Sequence, residues 1–205
     1  MNRLVLLLVL ATAFSVRAGQ IVFESKPARA HLIELYTSEG CSSCLPAEEW
    51  MSGLKNQPRL WQDIVPVAFH VDYWDHLGWR DPFSSHANTV RQEAYARHLG
   101  TQGPYTPQMV IDGAVEFNGA DGRRAQEEIA RAATRERTAV RVTRNGAGIR
   151  IEIDAAPRAA YVMLAVAQDA GDSQVKGGEN NGRRLQHVAI LKSLRKVAQV
   201  KKGAG

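Results

Sequence analysis

Cysteine is almost missing from this 205-residue chain: there are two, Cys41 and Cys44, three positions apart. So close a pair excludes the disulfide framework that small secreted domains depend on, and it leaves no odd thiol. Beyond the N-terminus the sequence also lacks any apolar run near the roughly 20 residues that a membrane-spanning helix needs. Charge is nearly balanced, 26 basic against 21 acidic residues for a net +5. The basic pairs Arg123-Arg124, Arg183-Arg184 and Lys201-Lys202 have no interleaved aromatics, which excludes a nucleic-acid reading. No internal repeat is present. No second pair of ligands at short spacing accompanies the cysteines, as a structural zinc site requires. No cofactor is expected.

What the chain does have begins at residue 1. Asn2-Arg3, the largely apolar run Leu4 to Phe14 and the small residue Ala18 follow the grammar of a secretory signal peptide. The reading is residues 1–18 as a signal peptide cut after Ala18, with an uncleaved N-terminal anchor as the alternative. Removing it takes away Arg3 and Arg17, leaving 24 basic against 21 acidic residues, or +3. A protein in the periplasm or outside the cell follows, not integral to the membrane once cleaved. The remainder is long enough to bury a proper core without cross-links.

The pattern then reads β-α-β-α-β-β-α over residues 19–137. His31–Tyr36 is a short apolar strand and Thr37–Gly40 a turn. The dithiol opens a helix with Pro46 in its first turn, where a missing N–H costs nothing. Ile64–Tyr73 is a strand suited to burial on both faces. After an irregular segment, Ser84 or Ser85 caps a helix that Gly100 stops, giving a helical insertion near 75–100. Thr106–Asp112 and Ala114–Phe117 pair through a tight Asp112-Gly113 turn. Asp121 caps a helix running to about Arg137, with Ala125, Ile129 and Ala132/Ala133 on one face. Residues 19–30 contain Pro27 and little periodicity, and read as a leader into the domain. Past residue 138, Val140–Thr143, Ile149–Ile153 and Tyr161–Ala167 are strands, the first two around an Asn145-Gly146 hairpin signal. Gln168–Arg184 reads as a polar stretch and Leu185–Val200 as a basic amphipathic one. The expected fold is α/β, a mixed sheet of thioredoxin arrangement flanked by helices, with residues 138–205 a β-rich extension packed on it.

The chemistry centres on the dithiol. Unpaired N–H groups and the dipole at a helix start stabilise a thiolate, so Cys41 is the candidate nucleophile and Cys44 the resolving thiol. Thr106-Pro107 heads the third strand, where a cis-proline beside the dithiol shapes a docking surface; a trans proline starting an edge strand is the alternative. Glu34, mid-strand in an apolar run, is a candidate proton carrier to Cys44 or else a structural acid. Tyr73, Trp74, His76 and Trp79 leave the C-terminal end of the second strand, where ligands sit in open α/β sheets, as a substrate rim or an aromatic plug. Thiolates suit soft ions, so Cys41 and Cys44 with His70 or His76 form a weaker Cu(I) or zinc alternative. A purely structural disulfide is the other alternative.

Several motifs agree in order and spacing with one family: Glu34–Cys44 with Pro46-Ala47, His70–Asp75 with Leu77-Gly78-Trp79 and Asp81-Pro82-Phe83, Tyr105–Val110, and Gly178-Glu179-Asn180 with Gly182-Arg183 and His187. Over about residues 31–195 the chain resembles a widespread bacterial family of secreted, thioredoxin-like proteins classed as a domain of unknown function. The resemblance implies a thioredoxin-like core with a C-terminal β extension, in the periplasm or outside the cell. It supplies no reaction. Unlike thioredoxins, the chain has Ser42-Ser43 between the cysteines and Gly40 in place of tryptophan before them. Relatives are expected to continue into further strands beyond Gly205. The functional expectation is an exported thiol–disulfide oxidoreductase acting on a thiol or disulfide substrate, with a redox partner protein. The alternative is a binding protein that uses the same scaffold around a locked disulfide.

Overall fold

Two adjacent strands carry almost no exposed side chain: β3 (His31–Thr37) and β4 (Ile64–His70), the latter buried at every position. A strand covered on both faces must be apolar on both, and Ile64-Val-Pro-Val-Ala-Phe69 is. They run parallel in register, His31 opposite Ile64 and Thr37 opposite His70. The computed structural model describes residues 5–6, 20–24, 30–131, 138–146, 148–154 and 156–203. Most of the expected signal peptide, Pro27, and the expected last turns of the third helix, Ala132 to Arg137, lie outside the described residues.

Side-chain alternation along β3 builds two cores. On one face Ile33 and Leu35 meet Ala47, Met51 and Leu54, with Met109, Ile111 and Phe117. These residues bring in α1 (Leu45–Gly53), which follows a 3-10 turn at Ser42–Cys44, with Pro46 in its first turn as expected. On the other face Tyr36 meets Val67, Phe69, Val71 and Val110, against Tyr95 and Leu99 of α2 (His86–Leu99). The Ser85 hydroxyl caps α2 by accepting from the Ala87 N–H, and Gly100 ends it at φ 74°. β5 (Gln108–Ile111) and β6 (Val115–Asn118) follow, then α3 (Gly122–Arg131), where Asp121 accepts from the Arg124 N–H at 2.9 Å. Ala125 and Ile129 are the buried face of α3, as the periodicity predicts.

Two C-terminal strands change the picture. β9 (Ala160–Gln174) and β10 (Arg184–Val200) form a long antiparallel hairpin, so the stretches read as polar and as basic amphipathic are strand. Their polarity follows from position: only His187–Leu191 is buried throughout, where β10 runs parallel beside β4 with Ile190 opposite Ala68. With β1 (Val5–Leu6) at one edge, the seven-stranded mixed sheet has the order β1-β9-β10-β4-β3-β5-β6. Part of the expected leader is strand: β2 (Gln20–Glu24) pairs with β7 (Val140–Asn145), and β8 (Gly148–Ile153) completes a separate three-stranded antiparallel sheet. No helix among the described residues is long and apolar enough to cross a membrane.

Candidate functional site

Cys41 and Cys44 form a disulfide at the start of the 3-10 turn that leads into α1, and both are 0 % exposed. The Thr106–Pro107 bond is cis, and the Thr106 hydroxyl donates to Cys41 Sγ at 3.2 Å. That hydroxyl in turn accepts from Trp74 Nε1 at 2.9 Å, while Ser43 Oγ lies 3.3 Å from Cys41 Sγ. Trp74 comes this close because residue 40 has no side chain: a Cβ on Gly40 would meet Trp74 Cβ at 3.1 Å. Thus the predicted residues Cys41, Cys44, Thr106, Pro107 and Trp74 come together.

The rest of the aromatic segment divides. Trp79 turns inward and donates through Nε1 to Glu39 at 2.7 Å, and the Tyr73 hydroxyl donates to Gln92 at 3.1 Å. Burial pushes the Tyr73 phenol up to about 12, although Gln92 and Thr106 pull the other way. His76 is exposed, and its Nδ1 lies 2.8 Å from the Tyr73 carbonyl oxygen. Trp74 and Trp79 thus each give their indole N–H to an acceptor within the protein, Thr106 and Glu39.

Glu34 is not beside the dithiol. Its carboxylate, 0 % exposed, takes a two-point contact from Arg91, Nε at 2.6 Å and Nη2 at 2.7 Å, and hydroxyl donors from Tyr36 and Tyr95. Those partners belong to the α2 face of the sheet, whereas Ile33, Leu35 and Thr37 face α1. Of the two expectations for Glu34, proton carrier and structural acid, these contacts favour the second. Burial together with the Glu34 charge raises the phenols of both Tyr36 and Tyr95.

On the dithiol side lies a polar network that composition did not reveal. Glu48, one turn beyond Cys44 on α1, accepts from Thr37 Oγ1 at 2.5 Å. Its other oxygen stands 2.7 Å from His187 Nδ1 of β10. Glu39 accepts from His187 Nε2 at 2.8 Å and from Ser173 Oγ, while its backbone N–H donates to Asp81. Asp81 also accepts from His70 Nδ1 at 2.7 Å, and the rings of His70 and His187 meet edge to face at 4.8 Å. Burial disfavours the His187 imidazolium, but Glu39 and Glu48 outweigh it and lift its pKa to about 10. Burial likewise opposes charge on Asp81, yet His70 and the Glu39 and Phe83 N–H groups hold it below the usual carboxylate range. Of the residues considered for Cu(I) or zinc, the cysteines are joined to each other, His76 is on the surface and His70 is held by Asp81.

The turn between β9 and β10 caps the site from above. Glu179 accepts from both the N–H and the hydroxyl of Ser42, at 2.9 and 2.7 Å, and those bonds hold its pKa below the ordinary value. Asn180 donates to the Glu39 carbonyl at 2.9 Å. The turn sits directly on the aromatic segment, since a Cβ on Gly177 would lie 2.2 Å from the Gly78 carbonyl oxygen. Glu179, Asn180 and His187 lie in motifs shared with the family that the sequence resembles, and nothing in those motifs alone gives them a role. For Glu48 the sequence does hold a local signal, its one-turn spacing from Cys44.

Fold and site define a mixed α/β protein with a Cys-x-x-Cys disulfide at the start of a helix. Residues 32–205 match the family described as "Protein of unknown function (DUF1223)", and the chain belongs to that family. It is similar to a protein from Agrobacterium tumefaciens solved by X-ray crystallography, with 30 % identity and a TM-score of 0.74 over 87 % of this chain and 77 % of that one. No curated protein matches.

Proposed function

We propose that the protein is an exported thiol–disulfide oxidoreductase on a thioredoxin-like core. The reading rests on one observation above the others: a Cys-x-x-Cys pair opens a helix, and the hydroxyl of the residue before a cis proline donates to its first sulfur. The strand order β4-β3-β5-β6, with β5 antiparallel to its neighbours and α1 following β3, supports the thioredoxin-like part. The signal-like residues 1–18 support export. In the reducing direction the Cys41 thiolate attacks a substrate disulfide, forming a mixed disulfide and expelling one substrate thiolate. The Cys44 thiolate then attacks Cys41 Sγ and expels the second, so the protein pair is oxidised as the substrate is reduced by two electrons. The reverse sequence donates the disulfide.

The full burial of both cysteines favours a second reading, a binding scaffold around a locked disulfide. Equilibration of the purified protein in glutathione buffers separates the two. A potential well above about −300 mV belongs to an exchangeable pair, and one below it to a structural bond. A Cys44→Ser variant is expected to accumulate mixed disulfides through Cys41. A Cys41→Ser, Cys44→Ser protein that keeps its partner supports the scaffold.

A further inference from the structure

The Glu39–Glu48–His70–Asp81–His187 network has a feature that the dithiol does not explain. Each imidazole uses one nitrogen to donate to a buried carboxylate, His70 Nδ1 to Asp81 and His187 Nε2 to Glu39. The other nitrogen of each, His70 Nε2 and His187 Nδ1, is buried without a hydrogen-bond partner. His187 Nδ1 does stand 2.7 Å from Glu48 Oε2, close but not aligned as a hydrogen bond. One ligand atom from each of Glu48, His70 and His187 lies within 4.8 Å of the others, and the three residues are 8 %, 1 % and 2 % exposed.

A metal-binding histidine typically gives its second N–H to a carboxylate, which fixes the tautomer and turns the free nitrogen inward. Here both histidines are held that way, and Thr37 orients the carboxylate of Glu48. Charge points the same way. Glu39, Glu48 and Asp81 bring three carboxylates into the interior, and among the described residues no lysine or arginine pairs with any of them. His187 stands between Glu39 and Glu48 and offsets part of that charge; a doubly charged cation taking the place of its Nδ1 proton offsets more of what three buried carboxylates carry. Two imidazoles and one carboxylate suit zinc or ferrous iron and leave coordination positions open.

We propose that Glu48, His70 and His187 form a binding site for a divalent first-row transition ion, anchored to β4, β10 and the dithiol helix at once. The site is independent of the redox state of the cysteines. Zn²⁺ added to the metal-stripped, oxidised protein is expected to bind near one equivalent and to raise the melting temperature with concentration. Co²⁺ in its place is expected to give visible d–d bands without thiolate-to-cobalt charge transfer. The Co²⁺ protein should also show two strongly shifted, exchangeable imidazole N–H resonances, those donated to Asp81 and Glu39. A Glu48→Gln variant should weaken Zn²⁺ binding at least tenfold. Absence of uptake, a thiolate charge-transfer band, or a cobalt spectrum without the two imidazole protons would overturn the assignment. The spectra of the unaltered protein decide this even where a variant folds poorly.

Discussion

At the scale of single residues, the disulfide and the ion pair on opposite faces of β3 make separable predictions. Thr106 donates to Cys41 Sγ, and a thiolate gains far more from that donor than a disulfide sulfur does. A hydrogen bond to a charged group contributes about 1.5–3 kcal/mol. Thr106→Val, close in shape, withdraws it from the reduced form and is expected to lower the reduction potential by about 30–60 mV, at 1.4 kcal/mol per 30 mV. An unchanged potential in glutathione buffers leaves Thr106 with no role beyond holding Trp74. Glu34→Gln leaves Arg91 without its counter-charge. Breaking a fully buried pair costs about 3–5 kcal/mol. Arg91 keeps 30 % of its side chain exposed, so about 2–3 kcal/mol is expected by denaturant titration. The potential should not move, because Glu34 faces α2; a variant slower in thiol exchange but equally stable would restore it as a proton carrier. The sequence places Glu34 in a buried strand and leaves open which face it takes. The parity of Glu34 with Tyr36, against Ile33, Leu35 and Thr37, was available, but which face α1 covers was not.

At the scale of elements, the turn between β9 and β10 decides access to the disulfide. Glu179 holds that turn to Ser42. Because its pKa is lowered in the folded protein, this hold is complete above the ordinary value of 4.5 and is lost as pH falls through the lowered one. Glu179→Gln is expected to speed reduction of the disulfide by a phosphine severalfold near neutral pH. The ratio of variant to wild-type rates cancels the reagent's own pH dependence and should fall towards one in acid. A ratio of one at every pH removes Glu179 from the cover. Gly177→Ala pushes a methyl group into the Gly78 carbonyl and cannot leave the turn in place. It should raise the reduction rate and cost about 1–3 kcal/mol by thermal melting, the usual penalty of overpacking. The helices and core strands were legible because caps, glycine stops and uninterrupted apolar runs are local signals. β9 and β10 were only half legible. Their outer halves pack on one face at most, so their polarity matches loop and amphipathic helix as well as strand, and only pairing across the hairpin distinguishes them.

At the scale of the whole molecule, the question is whether residues 138–205 decorate a finished core or complete it. Sequence favoured decoration, since the β-α-β-α-β-β-α order looks closed by residue 137. In the folded chain β10 lies inside the seven-stranded sheet, between β9 and β4. It sends Val188 into the core beneath α1 and Leu191 into the core beneath α2. It also supplies His187, the partner that keeps Glu39 and Glu48 from being buried alone. A chain ending at Arg137 would expose the full edge of β4, open both cores and strand those two carboxylates; removing one partner of a buried pair alone costs about 3–5 kcal/mol. Marginal domains have only about 5–15 kcal/mol to lose. A protein of residues 19–137 is therefore expected to lack near-ultraviolet circular dichroism and a cooperative melt, while the longer chain melts in one transition by tryptophan fluorescence and far-ultraviolet dichroism alike. A sharp melt in the short chain would make the core self-sufficient and return β9 and β10 to the status of an attachment.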